Sequence, residues 1–263
     1  QRSHNGANML FDAVRGATKR LVSNQDLTEG TVQGVTSFDS KGFTLGNDAD
    51  CNYSGRTHVA WAWDAGTSTV SNTDGSLTAS VRANASAGFS IISNNTGSSS
   101  GNQSIGHGLN AKPGLVIVKR RDVAENWFVW HSALSSEAGH YLKLNSTASE
   151  TSQSVWGAGM TSSVIGITAN AIGGDNIIYA FAPVAGHSAM GSYEGLGTAG
   201  GAFVYLGFRP ALLIVKDIDG TWDWYLYDAA RNTYNIVNNV LRPSQDYVEE
   251  GHATNNTFDF LSN

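Results

Sequence analysis

The chain repeats itself, and this constrains its fold more than any other feature of the sequence. Residues 113–131 read PGLVIVKRRDVAENWFVWH, and residues 210–228 read PALLIVKDIDGTWDWYLYD. The two segments align without a gap at a separation of 97 positions, as from 113 to 210. Because internal repeats decide the architecture of a chain, they predict similar structural units here. The aligned pairs include Pro113 with Pro210, Lys119 with Lys216, Trp127 with Trp224, and Trp130 with Tyr227.

Further matches divide the chain into segments. Residues 11–16 (FDAVRG) match 227–232 (YDAARN), and residues 58–63 (HVAWAW) match 176–181 (NIIYAF). Only the segment 87–187 contains both kinds of block. The matches therefore predict part of a unit at 1–66, a polar linker or long loop at 67–86, a complete unit at 87–187, and part of a third unit at 188–263. We expect a window on a longer protein, since a lone part-unit leaves a strand edge unpaired.

Composition narrows the class of protein. Charged residues make up 14% and aromatic residues 10%, which is typical of an ordered all-β protein and not of a disordered chain. The net charge of −6 disfavours binding to a phosphate backbone, so no nucleic-acid partner is predicted. No run of 18 apolar residues occurs, so no membrane insertion is predicted. Cys51 is the single cysteine, which excludes an intrachain disulfide and favours assembly in a reducing compartment.

Short apolar runs bounded by turn residues predict strands. Their spacing is that of sandwiches and barrels, with six or seven strands in a unit. The predicted fold class is all-β, with tandem jelly-roll-like antiparallel β-sandwich repeats. Residues 7–21 are the best helical candidate, although the matching segment reads as a strand and a turn. The predicted strands are 88–92, 115–118, 141–144, 163–168, 177–181, 212–215 and 222–227.

Residues of catalytic type do not form a recurring set. His131 beside Ser132 has the composition of a base and a nucleophile, but the matching positions hold Asp12 and Asp228. We therefore interpret position 131 as a polar group at the end of a hairpin. Ser188 lies in GHSAM, which lacks the last glycine and the following helix of a nucleophile elbow. No phosphate loop, zinc-ligand spacing or recurring acid pair is present, so no enzymatic activity, catalytic residue or cofactor is predicted.

Two acids are candidate calcium ligands. Asp48 and Asp50 stand between Asn47 and Asn52, and oxygen ligands of this kind suit calcium. The segment lacks the glycine and the terminal glutamate of an EF-hand loop. A solvated turn is the alternative interpretation.

Tryptophan residues supply candidates for ligand binding. Trp127, Trp156 and Trp224 lie in an aromatic-rich β pattern, where exposed rings stack on sugars in a lectin-like groove. The alternative is core filling, because alternate aromatic residues on the strands of a sandwich usually face inward.

The phrase FVYLGFRPALLIVK at 203–216 resembles phrases in tail-fibre and virion structural proteins of tailed phages, notably marine and cyanobacterial ones. The phrases YDAARNTYN at 227–235, YAFAPVAG at 179–186 and NTDGS at 72–76 extend this resemblance. It implies tandem β-sandwich repeats of the concanavalin or SPRY type. It also implies a homo-oligomer, expected to be a trimer, in contact with other virion proteins. The expected location is the virion, an extracellular particle assembled in the host cytoplasm, and the resemblance implies no catalytic residues.

Two functional hypotheses follow from the sequence. The first is a structural virion protein, a segment of a phage tail fibre or tail-associated appendage with a part in host-surface attachment. The alternative is a carbohydrate-binding (lectin-like) or carbohydrate-cleaving β-sandwich module, with a cell-surface glycan as its partner.

Overall fold

The computed structural model describes residues 3–96, 100–157, 159–169, 172–198, 200–252 and 257–262. Strands account for 37% of the residues and helix for 2%, and all strand pairs that form ladders are antiparallel. The expectation of an all-β chain is therefore confirmed. Within the described ranges, no helix is long and apolar enough to cross a bilayer.

The elements follow one another along the chain in three groups. The first group holds β1 (Met9–Asp12), β2 (Gly16–Val22), β3 (Gly30–Thr31), β4 (Val35–Asp39), β5 (Gly42–Leu45), α1 (Ala49–Asn52), β6 (Val70–Asn72) and β7 (Ala79–Asn84). The second holds β8 (Phe89–Asn95), β9 (Asn102–Gly106), β10 (Leu115–Arg120), β11 (Phe128–His131), β12 (His140–Lys143), β13 (Thr151–Ser152), β14 (Val164–Thr168) and β15 (Asp175–Phe181). The third holds β16 (Leu212–Lys216), β17 (Trp224–Asp228), β18 (Asn239–Val240) and β19 (Glu250–Gly251).

An eight-stranded sheet forms the centre of the molecule, in the order β13-β12-β11-β10-β15-β8-β7-β6. Strand β10 lies between β11 and β15, and it pairs with β15 from Leu115↔Phe181 to Arg120↔Asn176. Both strands are rich in β-branched and aromatic residues, which suit a strand buried on both faces. The predictions of strands at 115–118 and 177–181 are confirmed.

Successive side chains of this sheet enter two different cores. Val116, Val118 and Ile178 pack on one face, against the β9–β14 pair that carries Ile105 and Ile165. The middle of the chain therefore has two packed layers, the central sheet and the β9–β14 pair. The other face carries Trp127, Val129 and Tyr179 into a second core.

The second core joins all three parts of the chain. Leu21 comes from β2, Trp127 from the position just before β11, and Trp224 from β17, and all three are buried in one cluster. Residues that are 203 positions apart in sequence, from 21 to 224, thus share one apolar environment. Burial of this apolar area stabilises the contacts between the segments as well as each segment itself.

The remaining strands form small sheets outside the central one. Strands β1, β2 and β3 form a three-stranded sheet, and β4 pairs with β5, β16 with β17, and β18 with β19. The predicted strands at 212–215 and 222–227 correspond to β16 and β17. Residues 191–193, whose sequence GSY loosely resembles GFS at 88–90, form no strand.

The best helical candidate, residues 7–21, instead forms a hairpin of β1 and β2. Met9 pairs with Val22, and Leu10 pairs with Leu21. The carboxylate of Asp12 accepts hydrogen bonds from the backbone N–H groups of Val14 and Arg15, which forms the turn. Tertiary pairing has overridden a weak local helical pattern, as it often does.

Residues 67–86, predicted as a linker or long loop, contain two strands of the central sheet. Strand β7 pairs with β8, and β6 pairs with β7 through Val70↔Val81. Ala79 and Val81 are buried at alternate positions, so the inward face is apolar. The sequence pattern did not predict this apolar face, because alanine is a weak apolar signal and polar residues occupy every other position.

Candidate functional site

The three tryptophans proposed for sugar stacking are core residues. Trp127 and Trp156 have no exposed surface, and Trp224 is 6% exposed. Their indole N–H groups donate to backbone carbonyls, that of Trp156 to His140 O at 2.8 Å. A sugar cannot stack on a ring face that is covered by protein, so the ligand-binding interpretation of these residues is corrected to core packing.

Asp48 and Asp50 lie at the short helix α1. Asp48 is the N-cap residue, and its carboxylate accepts the backbone N–H of Asp50 at 2.9 Å. This is the ordinary role of an aspartate before a helix. Across the described part of the chain, no group of three or more His, Cys, Asp and Glu side chains is placed to hold a metal ion.

The residues of catalytic type occupy turns. Nδ1 of His131 accepts the backbone N–H of Ala133 at 3.1 Å, as the carboxylate of Asp12 accepts that of Val14. Burial lowers the pKa of His131, which suits this acceptor role. Oγ of Ser188 accepts the backbone N–H of Val184 at 3.1 Å. The interpretation of position 131 as the end of a hairpin agrees with this geometry.

Two buried clusters of charge occupy matching places in the first and last segments. Asp12 forms an ion pair with Arg15, which reaches Glu29 at 3.3 Å. Asp228 forms the same pair with Arg231 at 2.7 Å, and Arg231 reaches Glu249 at 2.9 Å.

Each arginine also donates to a backbone carbonyl of the strand before it, Arg15 to Leu10 and Arg231 to Leu226. Such pairs tolerate burial because nearly every donor and acceptor is satisfied.

A residue from another segment completes each cluster. The hydroxyl of Tyr179 donates to the carboxylate of Asp12 at 2.6 Å, and the indole N–H of Trp61 donates to that of Asp228 at 3.1 Å. Tyr179 and Trp61 are themselves a matched pair of the sequence. Burial alone would raise the pKa of Asp228, but the hydrogen bonds from Arg231 and Trp61 lower it below its usual value.

A similar side-chain hydrogen bond occurs in each of the three segments and aligns their residues with one another. The backbone N–H of Asn8 donates to Oδ1 of Asn24, and that of Trp127 donates to Oδ1 of Asn145, both at 3.0 Å. The backbone N–H of Trp224 donates to Oγ of Ser244 at 3.4 Å. Residue 8 thus matches 127 and 224, and residue 24 matches 145 and 244.

With this correspondence, the two buried indoles make the same contact between segments. Nε1 of Trp127 donates to the carbonyls of Val22 and Gln25 in the first segment, both at 3.0 Å. Nε1 of Trp224 donates to the carbonyl of Lys143 in the middle segment at 2.9 Å. Val22 and Lys143 both lie two residues before the matched asparagines, so each indole binds the preceding segment at the same place.

Asn8 makes the corresponding contact from the first segment to the last. Its Nδ2 donates to the carbonyl of Arg242 at 3.1 Å and to that of Gln245 at 2.8 Å. These two acceptors correspond to Val22 and Gln25. An amide side chain therefore replaces the indole at this position while it binds the same pair of carbonyls.

Backbone hydrogen bonds repeat at the same contacts. The N–H of Glu125 donates to Asp26 O at 2.8 Å, and the N–H of Gly6 donates to Asp246 O at 3.3 Å. Gly6 matches Glu125, and Asp246 matches Asp26. We call each set of contacts between segments a junction, because every one joins a donor segment to an acceptor loop in another segment.

A lysine supports each of two junctions, the buried Lys119 and the half-buried Lys216. Nζ of Lys119 donates to the carbonyls of Asp26 and Arg120, and Nζ of Lys216 donates to that of Thr147 at 3.3 Å. Burial lowers the pKa of Lys119 to about 8. Each amine is held by carbonyl oxygens, so its part in the structure is to join loops.

Sequence reasoning missed Asn8 and the acceptor loops of the junctions. A signal for the loops was present, because the dipeptide Gln25-Asp26 recurs as Gln245-Asp246. A glutamate follows each dipeptide three residues later, at Glu29 and Glu249. Asn8 had no such signal, since an asparagine shares no obvious similarity with the tryptophans that it matches.

Comparison with known proteins identifies a family. A family model described as a domain of unknown function, DUF7483, matches residues 1–263, so the chain belongs to that family. Neither a curated protein nor a solved structure matches the chain.

Proposed function

We propose that this member of the DUF7483 family is a structural virion protein, a segment of a phage tail fibre or tail-associated appendage. In this proposal the segments 1–66, 87–187 and 188–263 are tandem repeats of jelly-roll-like type, the outer two incomplete. The extended similarity to phage virion phrases supports the viral assignment. The junctions support the repeats, because matched residues join segments in matched ways.

The observation that carries the proposal is that the junctions close on themselves. Trp127 joins the middle segment to the first, Trp224 joins the last segment to the middle one, and Asn8 joins the first segment to the last. In these three side-chain contacts, each segment donates to one neighbour and accepts from the other. Three segments joined in this way contact one another in a closed cycle, which we call the ring, and such mutual contacts suit a rigid element of an appendage.

The ring limits which surfaces are free for oligomerisation. In a closed cyclic arrangement each contact joins two different surfaces, and closing the cycle occupies all of them. The three junctions of one chain are already used within that chain. We therefore expect the proposed homo-oligomer to assemble through other surfaces, and a trimer would place three such rings together.

An imaging experiment tests the viral assignment. Antibody fragments raised against the purified chain are bound to virions from the source that encodes it, and the complexes are examined by electron microscopy. Label at the tail or its appendages is the expected result. Virions that contain no reactive protein, in the image and by immunoblot, would refute the proposal.

Glycan binding is a second candidate, and the exposed aromatic residues favour it. Trp222 is 61% exposed and Tyr234 is 84% exposed, so their rings are accessible to a sugar. A glycan array with the purified chain tests this function. Binding that is lost in Trp222→Ala or Tyr234→Ala would support it, and an array without hits would count against it.

A further inference from the structure

Two buried asparagines lie opposite each other inside the central sheet. Asn94 on β8 pairs with Asn176 on β15, and Asn176 pairs on its other side with Arg120 of β10. Asn94 is 6% exposed, and Asn176 has no exposed surface. Residues that are directly opposite in an antiparallel ladder point to the same face of the sheet, so the two amides are neighbours.

The face that carries them is an apolar face of the middle segment. Side chains alternate along a strand, so Asn94 shares its face with Ile92, and Asn176 shares its face with Ile178. Both isoleucines belong to the core between the central sheet and the β9–β14 pair. The asparagines therefore place amide groups against an apolar core.

Three polar atoms of this pair have no partner among the described residues. They are Oδ1 and Nδ2 of Asn94 and Oδ1 of Asn176. The remaining group, Nδ2 of Asn176, donates to Gly174 O at 3.0 Å. Ser90 on the same face shows the usual arrangement, because its hydroxyl donates to His107 O at 2.7 Å. Buried polar atoms of native proteins nearly always have a hydrogen-bond partner, so these three atoms indicate a bound ligand.

The three atoms offer two acceptors and one donor. Exchange of Oδ1 and Nδ2 within Asn94 leaves that set unchanged. A calcium ion takes roughly six to eight oxygen ligands, and an amide N–H would repel it. An anion needs several donors, and the guanidinium of the adjacent Arg120 is already held by Asp122 at 3.0 Å. A water molecule matches the set, since it donates two hydrogen bonds and accepts one, and buried waters typically make about three.

Small neighbours leave room for a ligand of this size. The ladder between β7 and β8 runs through Ser80↔Ser93, so the next residue of β7, Ala79, lies beside Asn94. Ala79 is buried and contributes only a methyl group. Gly174, whose carbonyl accepts from Asn176, has no side chain. The amides are therefore bordered by small residues, which suits a single water molecule.

We propose that Asn94 and Asn176 bind one internal water molecule, which donates to both Oδ1 atoms and accepts the N–H of Asn94. The water joins β8 to β15 through side chains, in addition to their backbone ladder. A shift of β8 by one residue would turn Asn94 to the opposite face, so the site forms only in the observed register. The buried polar pair therefore specifies how the two strands align. This site depends neither on a viral origin nor on tandem repeats.

Water cross-peaks in NMR spectra of the isotope-labelled full chain test the site. A water molecule held inside a protein gives NOE and ROE cross-peaks of opposite sign to nearby protons. We expect such peaks at the side-chain amide protons of Asn94 and Asn176. The indole N–H of Trp127 is the internal control, because it is fully buried but donates to Val22 O and Gln25 O. The absence of a water peak at Asn94 would overturn the proposal.

Two leucine variants separate the site from its surroundings. Asn94→Leu removes two of the three groups, so the water peak at Asn176 should be lost. Asn95→Leu is the matched control, because Asn95 is exposed and points to the opposite face, and the peak should remain. A peak at Asn176 that is undiminished in Asn94→Leu would refute the assignment.

A high-resolution crystal structure of the wild-type chain supplies a second measurement that needs no variant. We expect a density peak at hydrogen-bond distance, roughly 2.7–3.2 Å, from all three atoms. A direct bond between the two amides, with no peak beside them, would contradict the water site.

Discussion

Substitution of Trp127 by phenylalanine should weaken the junction between the first and middle segments. The ring is buried without exposed surface, and its N–H group donates to Val22 O and Gln25 O, both at 3.0 Å. Phenylalanine retains most of the apolar ring but leaves two carbonyls without this donor.

The magnitude follows from those two contacts. Each lost hydrogen bond costs about 1 kcal/mol, and the Val22 carbonyl still accepts the backbone N–H of Gln25 at 3.3 Å. The smaller ring leaves unfilled volume, which adds about 1 kcal/mol. We expect the free energy of unfolding to fall by about 2–4 kcal/mol, a large share of the roughly 5–15 kcal/mol that is typical of a folded domain.

Trp156→Phe is the matched control. Trp156 is equally buried, but its N–H group donates to His140 O within the middle segment. Urea unfolding measures the loss of stability in both variants, and amide hydrogen exchange locates it. The diagnostic amides are those of Glu29, bonded to Arg121 O, and Glu125, bonded to Asp26 O.

Faster exchange at both amides in Trp127→Phe, but not in Trp156→Phe, is the expected result. Equal exchange in the two variants would show that Trp127 contributes general core packing and no specific junction. A loss below about 0.5 kcal/mol in Trp127→Phe would refute the energetic reasoning outright, since that is the lower bound for one hydrogen bond.

Three further predictions concern the other junction groups. The pKa of Lys119 is about 8 in the folded chain and roughly 10.4 when unfolded. Between these two values the unfolded state binds more protons, so the free energy of unfolding should rise with pH across this window. Urea titrations at several pH values measure this rise, and Lys119→Met should flatten it. Trp61→Phe removes the donor to Asp228 and should cost about 1 kcal/mol in thermal unfolding at neutral pH, whereas Trp222→Phe, at an exposed position, should cost almost nothing. Asn8→Ala should speed hydrogen exchange of the Gly6 amide, which donates to Asp246 O, and unchanged exchange there would contradict its role between the first and last segments.

Local pattern was sufficient for several strands and for the hairpin ends. The runs at 115–118 and 212–215 are apolar and β-branched, and such runs form strands in most surroundings. The matching of His131 with Asp12 identified a turn position because its hydrogen bond reaches only two residues along the chain. Contacts of this range are specified by neighbouring residues, so a sequence reveals them.

The junctions could not be predicted from local sequence pattern. Trp127 and Trp224 were visible as a repeated pair, but their partners are backbone carbonyls, which every residue possesses. Whether an indole binds a sugar or fills a core depends on what covers it. Strand β7 was missed for a related reason, since Ala79 and Val81 gain their apolar role only against the layer that they face.

The sequence by itself determined that the chain is all-β, because strand propensity and alternation are local properties, and it showed motifs that recur along the chain. Only the tertiary structure decided that the first segment binds the last through Asn8. Closure brings together residues more than 230 positions apart, Asn8 and Arg242, through a side-chain amide and a carbonyl. The physical reason is that such a bond depends on how the segments pack around one core, which no stretch of neighbouring residues encodes.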